Sequence, residues 1–411
     1  MTKRSICLLL MTTTLSFNTY AVTLEESYQA TLKNYQNKEF NDARIQAAKE
    51  QTSQAKGTYL PTITAQGSYQ KVDGFDDQKT VNINLKSNLF NGGIDGDKVE
   101  NAKKNVEISK NLAKLDQIKI YLQVVDAYFD YIIALNDYKN FELLEMQARD
   151  RVSDLSKRIN IGKSRKGELF QAQAQLASVD VSKKNANGLV KQYSESLKAL
   201  TGLNQDSRPV YVLKSNNQAE TKDFYVQKML NREDIVNKKL NLEQAQTSYQ
   251  IAKKHFMPSL DVNANAYALR EGGSSSSRNS DWDVGLTLAI PLYEGGIANA
   301  AKREELQKVN QETIALANLE KDVVIDVNTK YEQFLRYQDQ IKANEIAYKS
   351  AKQSYEESLK DYALGIISNL DVITSLNLYL NNKKEYEKSQ LMAEYSLKVL
   401  EASAGMIPEK L

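Results

Sequence analysis

The sequence Leu89-Phe90-Asn91-Gly92-Gly93-Ile94 returns 203 residues later as Leu292-Tyr293-Glu294-Gly295-Gly296-Ile297. The same offset relates Gly162 to Gly365, and it relates Ala199-Leu200-Thr201-Gly202 to Ala402-Ser403-Ala404-Gly405. A register held over more than a hundred residues indicates one structural unit that is used twice. Hydrophobic periodicity predicts the same order of elements in each unit: a helix, a β-hairpin, a very long helix and a shorter helix.

The first 21 residues predict a secretory signal peptide. Lys3 and Arg4 supply the positive charge, residues 6–11 form a short apolar core, and Ala21 offers a small residue for cleavage. A lipoprotein signal is the alternative because Cys7 is present, but Cys7 lies inside the apolar core rather than at the cleavage point. The sequence therefore indicates an exported chain.

Composition excludes several classes of function. Of 54 basic and 52 acidic residues, the signal holds only Lys3 and Arg4, which leaves 52 of each. A neutral chain lacks the basic face that nucleic-acid-binding proteins need. Cys7 is the only cysteine and His255 the only histidine, which leaves no disulfide, thiol nucleophile or histidine metal cluster after export. With no phosphate-binding glycine loop either, the sequence predicts a protein that is not an enzyme, needs no cofactor or metal and binds no nucleic acid.

Four segments of about ten residues alternate between apolar and polar side chains, as β-strands with two different faces do. They are residues 62–70, 81–89, 260–267 and 282–290. An ordinary antiparallel sheet packed on helices would alternate in the same way. The length nevertheless equals that of a tilted transmembrane strand, and the polar faces carry mostly amides and hydroxyls, which suit a wet lumen.

Membrane insertion through these strands would require more than one copy of the chain. After the signal, no apolar segment approaches the length of a membrane helix, so a membrane-spanning chain would have to use the strands. Trp282 lies at the loop end of its strand, where membrane barrels carry an aromatic girdle. Because four strands cannot close a barrel and open edges are not tolerated in lipid, the chain is expected to oligomerise.

The lengths of the predicted helices would allow two short helices to lie beside one long helix. Residues 94–161 contain no proline and carry a heptad-like apolar stripe, and these 68 residues would span roughly 100 Å. Shorter helices are predicted at residues 24–60, 168–201 and 223–257. The last two, placed end to end, have nearly the length of the long helix. A long soluble coiled coil would have the same helices, so the strands and the signal favour the membrane interpretation.

At this level of detail the chain resembles the TolC family of outer-membrane channel proteins. One shared motif is the junction Tyr59-Leu60-Pro61, which is repeated as Phe256-Met257-Pro258. A second is the glycine pair that ends each hairpin, quoted above. The third is a glycine turn followed by an acidic residue and a Gln/Ala/Leu-rich helix, at residues 162–176 and again from residue 365. The resemblance covers nearly the whole chain after the signal.

The resemblance implies a mainly α fold with a membrane β part. Three protomers would form a twelve-stranded β-barrel in the Gram-negative outer membrane, continuous with a periplasmic α-barrel of long coiled-coil helices. The chain would divide into the signal at 1–21, a first repeat at 22–203, a mid-tunnel connection at 204–222 and a second repeat at 223–411.

The resemblance also implies a passive conduit. Such a homotrimer serves an inner-membrane transporter of the ABC or RND type through a periplasmic adaptor, in multidrug efflux or type I secretion. The alternative is an exported coiled-coil scaffold without a pore, located in the periplasm or at the cell surface. Lipid of the outer membrane is a partner of the channel but not of the scaffold.

The family's functional residues map onto the two glycine turns. The resemblance implies that an adaptor docks on these turns, and the docking residues would be Gly162, Lys163, Ser164, Gly365 and Ile366.

A periplasmic gate is implied beside the turns. Its candidate residues are Tyr362, Asp371, Glu168 and, as a substitute for a missing arginine, Arg165. Some family members have that arginine where this chain has Ile367, and a second constriction aspartate would fall at Thr374. A hydrogen bond from Tyr362 to Glu168 is expected to join neighbouring hairpins. The alternative for Glu168 and Asp371 is placement at helix N-termini, where the helix dipole favours carboxylates.

Overall fold

The computed structural model describes residues 21–34, 37–71, 73, 77–203, 208–209, 219–271 and 281–408. Apart from Ala21, the predicted signal lies outside the described residues, as do most of the two hairpin loops and of the segment 204–222. In chain order the elements are β1 (Ala21–Val22), α1 (Leu24–Asn34), α2 (Asn37–Gly57), β2 (Thr62–Gln70), β3 (Gln78–Asn91), α3 (Ile94–Asn160), α4 (Lys166–Thr201), β4 (Arg208–Pro209), α5 (Lys222–Met229), α6 (Glu233–Lys253), a 3-10 turn (Lys254–Phe256), β5 (Ser259–Glu271), β6 (Trp282–Ala289), α7 (Ile297–Ala363) and α8 (Asn369–Ser403).

The two long helices have the same length and the same kind of start. The helices α3 and α7 each contain 67 residues and begin directly after Gly93 and Gly296. These glycines have φ values of 77° and 85°, a left-handed conformation that glycine adopts without steric cost. The paired glycines therefore turn the chain out of the sheet and into the helix in both repeats. The predicted long helix is confirmed to within one residue.

Shorter helices lie end to end beside the long ones. Along the first half of α3, Arg44 of α2 lies 3.3 Å from Asp116. Along the second half, Lys183 of α4 lies 2.8 Å from Glu145.

On α7, Glu312 lies 2.9 Å from Lys238 of α6, and Asn344 donates to the Glu385 carbonyl of α8 over 3.3 Å. Each long helix thus has two shorter partners along its length, as the matching lengths predicted.

The predicted single helix at 223–257 is wrong in one respect, because it is broken between α5 and α6. Arg232 is extended, with φ −61° and ψ 141°, and its side chain donates 2.7 Å hydrogen bonds to the Ser403 carbonyl and to Asp234. On the other side of the break, Tyr225 and Met229 are buried. Contacts with the end of α8 therefore fix the break, and local helix propensity does not reveal them. The helix predicted at 24–60 ends at Gly57.

The hydrophobic core lies halfway along the long helices. One cluster joins Tyr28 of α1 to the middle of α3 around Val124, and a second joins Tyr225 of α5 to the middle of α7 around Val327. Leu400 of α8 is fully buried in the second cluster. Towards the tips, the helices bury fewer large side chains, so the stability of the bundle is concentrated in the middle.

The four long strands form one antiparallel sheet in the order β2-β3-β5-β6. Its polar face carries an amide ladder, in which Asn84 donates to Asn265 over 2.8 Å and Asn265 donates to Asp283 over 2.9 Å. The opposite face is apolar and uncovered: Val284 and Leu286 are 61% and 68% exposed. The predicted two-faced alternation is confirmed. Among the described helices, none combines the length and the apolar character needed to cross a membrane.

Candidate functional site: the helical hairpin tips

Both glycine turns have the same backbone geometry. Gly162 and Gly365 have φ values of 74° and 78°. In the first turn the Lys163 amide donates to the Arg158 carbonyl over 2.8 Å, and in the second the Ile366 amide donates to the Asp361 carbonyl over 2.9 Å. This is the hydrogen bonding of a helix that ends in a left-handed glycine. The glycine recurs because a side chain at this position would be strained.

The two tips present different chemistry to solvent. Lys163, Arg165 and Lys166 are exposed at the first turn, which is therefore basic. Leu364 and Ile366 are exposed at the second turn, by 75% and 68%, and it is apolar. A Cβ atom added at either turn glycine would meet no heavy atom within 4 Å. The turns thus have open space for a partner.

Asp371 caps the N-terminus of α8. The Ser368 amide and hydroxyl donate to the Asp371 carboxylate over 2.9 Å and 2.7 Å, and the Asp371 amide donates back to the Ser368 hydroxyl over 3.4 Å. These bonds from Ser368 lower the pKa of Asp371, so the exposed carboxylate stays ionised. The capping box is the alternative to a constriction role that the sequence offered for Asp371.

Glu168 and Arg165 have local partners in the first hairpin. The Ser164 hydroxyl donates to the Glu168 carboxylate. Arg165 occupies the N-cap position of α4 without a side-chain cap, and its carbonyl accepts from the Glu168 amide over 3.1 Å. The first hairpin therefore lacks the reciprocal Ser–Asp cap of the second.

Tyr362 contacts two arginines of the first hairpin. Its ring is 9% exposed and lies 3.7 Å from the Arg151 guanidinium and 4.7 Å from that of Arg158. Among the described residues of one chain, Tyr362 and Glu168 are not hydrogen-bonded to each other. Within one chain, Tyr362 thus lies against two arginines of the first hairpin.

Arg151 joins α3 to both helices of the second hairpin, a role that sequence reasoning missed. Besides facing Tyr362 of α7, it donates from Nε to Oδ1 of the fully buried Asn369 of α8. Its Nη1 lies 3.7 Å from Asp154, which is 3.0 Å from Nε of Arg158. Burial lowers the pKa of Arg151. The signal in the sequence was a basic residue four positions before Leu155, at core spacing on the helix.

We call this set of contacts the inter-hairpin link: Arg151, Arg158, Tyr362 and Asn369. It contains no grouping that could hold a metal, and none occurs elsewhere among the described residues. In this link the largely buried guanidinium of Arg151 contacts the ring of Tyr362 and the amide of Asn369, and so connects the two helical hairpins.

The comparisons with known proteins agree on one family. The model of the outer membrane efflux protein family matches residues 27–203 and 225–405. Outer membrane efflux protein BepC of Brucella suis is 23% identical over 357 residues, which are 82% of this chain and 75% of that protein. Outer membrane protein TolC of Escherichia coli is 23% identical over 365 residues, or 82% and 73% of the two chains. The crystal structure of CusC has a TM-score of 0.83 at 16% identity and 94% coverage of both chains.

These relatives and neighbours are channels rather than enzymes, and they belong to the outer membrane. The match spans both repeats and the whole length of the helical hairpins. The chain therefore belongs to the outer membrane efflux protein family and is an outer-membrane channel for efflux or secretion.

Proposed function

We propose that three copies of this chain form one continuous tunnel, a β-barrel in the outer membrane joined to a helical barrel in the periplasm. The observation that carries the proposal is the four-stranded sheet. Among the described residues nothing covers its apolar face, and its outer strands β2 and β6 each have one unpaired edge. Lipid would cover the face, and neighbouring protomers would pair the edges, because exposed strand edges are not stable in a bilayer.

The partners follow from the position of the tips. The long helices extend about 100 Å from the sheet to the glycine turns, so the turns would lie deep in the periplasm. A periplasmic adaptor docked there would connect the tunnel to an inner-membrane transporter of the ABC or RND type. The basic first turn and the apolar second turn supply two different contacts for it. The channel itself would conduct passively. Membership of the family favours this channel over the alternative of a coiled-coil scaffold without a pore.

The inter-hairpin link is proposed as the restraint that keeps the tunnel closed. It joins the two hairpins of one protomer near their tips, where few other large side chains are buried. Loss of the link would let the hairpins separate without unfolding the core, which lies halfway along the helices. Asp371 is proposed to line the constriction, with Glu168 and Arg165 beside it in the first hairpin.

Replacing Asp371 with Asn should reduce the cation preference of single channels in planar bilayers. Three symmetric carboxylates around a narrow lumen attract cations and bind multivalent ones. The hydrogen bonds from Ser368 lower the pKa of Asp371 and so oppose the rise in pKa that repulsion among the three carboxylates would cause.

Ser368→Ala is the matched control for that variant. It removes the cap of α8 and keeps the charge, so its ion preference should equal that of the wild type. Equal losses of cation preference in Asp371→Asn and Ser368→Ala would show that Asp371 acts only as a helix cap.

Replacing Gly365 with Leu should block export while leaving folding and membrane insertion intact. The left-handed φ of 78° disfavours any side chain, by about 1–2 kcal/mol, and a leucine would fill the open space around the turn. Export of a substrate from cells measures the effect. Assembly is measured as the amount of membrane-bound protein whose electrophoretic mobility changes on heating.

The control is Gly188→Leu, on an exposed part of α4 where a Cβ meets nothing within 4 Å and the backbone is helical. This variant should export normally. If Gly365→Leu also exports normally, the turns are not the docking site.

A further inference from the structure

Four tyrosines form one row of stacked rings between the two helices of the second hairpin. In order along the row they are Tyr355, Tyr379, Tyr348 and Tyr386, which come alternately from α7 and α8. Neighbouring ring centroids lie 5.6–5.9 Å apart, and neighbouring ring planes differ by 6–23°. All four side chains are half-buried, so the rings touch one another and solvent still reaches them.

Two other close pairs of tyrosines in the described chain are arranged differently. The rings of Tyr28 and Tyr121 meet edge-on, at 77° and 5.1 Å, and both residues are 1% exposed. The rings of Tyr225 and Tyr331 are tilted by 53°, and Tyr225 is 2% exposed. The row therefore combines parallel rings with access for small molecules from solvent, and these two pairs do not.

The closest pair of the row occupies the place of an ion pair in the first repeat. At the offset of 203 residues, Tyr348 corresponds to Glu145 and Tyr386 corresponds to Lys183. Lys183 lies 2.8 Å from Glu145 and ties α4 to α3, whereas Tyr386 stacks on Tyr348 at 5.6 Å and 7° and ties α8 to α7. Two phenol rings, unlike an ammonium and a carboxylate, can be joined by oxidation.

We infer that the row is a site of oxidative cross-linking, at which a dityrosine bond forms between Tyr348 and Tyr386. Each phenol loses one electron and one proton and becomes a phenoxyl radical. The two radicals couple through ring carbons ortho to their oxygens, and the hydrogen on each of these carbons then moves to the oxygen of its own ring. The oxidant is hydrogen peroxide acting through a haem or iron catalyst. It takes up the two electrons and two protons and leaves as two molecules of water.

The surroundings of the row favour this reaction. Burial raises the pKa of Tyr379 and that of Tyr386, so these phenols remain protonated in neutral solution and lose their proton together with the electron. An outer-membrane protein also works outside the reducing cytosol. The bond would fix α8 to α7 in the second hairpin. Its effect on channel opening rests on the proposed function, whereas the bond itself does not.

The test is treatment of the detergent-extracted mature protein with hydrogen peroxide and a small haem peptide, followed by trypsin and mass spectrometry. Trypsin cleaves after lysine and releases Tyr348 in peptide 343–349 and Tyr386 in peptide 385–388. We expect these two peptides to be linked, with a mass two hydrogen atoms below their sum. The oxidised protein should still run as a single chain on a denaturing gel, because the bond lies within one copy.

Two variants locate the bond. Tyr386→Phe keeps a ring that can stack on Tyr348 but cannot form a phenoxyl radical, so its dityrosine fluorescence after oxidation should fall below that of the wild type. Tyr337→Phe, on α7 outside the row, should give the linked peptides and the fluorescence of the wild type. Absence of the linked peptides from the wild type would overturn the inference. Undiminished fluorescence in Tyr386→Phe, or a main product that joins Tyr28 to Tyr121, would also overturn it.

Discussion

Leu286→Arg is expected to prevent insertion of the protein into the outer membrane. Leu286 lies in the middle of β6, opposite Val262 of β5, and 68% of its side chain is exposed on the apolar face of the sheet. An arginine on the lipid face near the bilayer midplane costs about 2–4 kcal/mol, and a trimer would carry three. The variant should be absent from outer-membrane fractions washed with salt and carbonate, and it should be degraded or aggregated in the periplasm.

Thr287→Arg is the control, because Thr287 is the next residue in the strand and points to the polar face, opposite Asp261. The same charge there would face water in the lumen, so this variant should insert as the wild type does. If both variants partition alike, the apolar face of the sheet does not contact lipid.

Arg151→Met is expected to open the channel in the absence of a partner. Methionine retains much of the length of the side chain but loses the contact with Tyr362 and the bond to Asn369. A cation–π contact and a charge-assisted hydrogen bond contribute about 1–2 kcal/mol each. The closed state should therefore lose at least about tenfold in population per protomer. Recordings in planar bilayers should show a higher open probability and a larger mean conductance.

Arg149→Met is the matched control on the same helix. Arg149 is exposed, and among the described residues its ion-pair partner is Glu145, one turn earlier on α3. Its loss therefore removes the same charge without touching the second hairpin. The open probability and mean conductance of this control should equal those of the wild type. Similar recordings from Arg149→Met and Arg151→Met would show that the inter-hairpin link does not restrain the gate.

The parts of the fold that follow from local periodicity could be predicted from the sequence. The glycine pairs at 92–93 and 295–296 marked the starts of the long helices, since only glycine takes positive φ there without strain. Strict alternation gave the two faces of each strand, because side-chain direction in a strand has a period of two residues. The pairing of β3 with β5 could not be read in this way, because its partners belong to different repeats and lie about 170 to 190 residues apart in the chain.

The contacts that define the candidate site depend on distant residues. Arg151 and Asn369 are separated by 218 positions, and the break before α6 is fixed by Ser403, 171 positions from Arg232. The resemblance to a family pointed to Tyr362 but not to its arginine neighbours. The second hairpin has Ile367 where some family members have an arginine, and both arginines of the link, Arg151 and Arg158, come from α3.

The mass of the assembled protein tests the proposed channel most directly. The mature protein, extracted from outer membranes in mild detergent, would be measured by light scattering with the detergent contribution subtracted. The four-stranded sheet with two unpaired edges predicts a monodisperse particle with three times the mass of the mature chain. A monodisperse monomer would contradict it, because four strands cannot close a barrel alone.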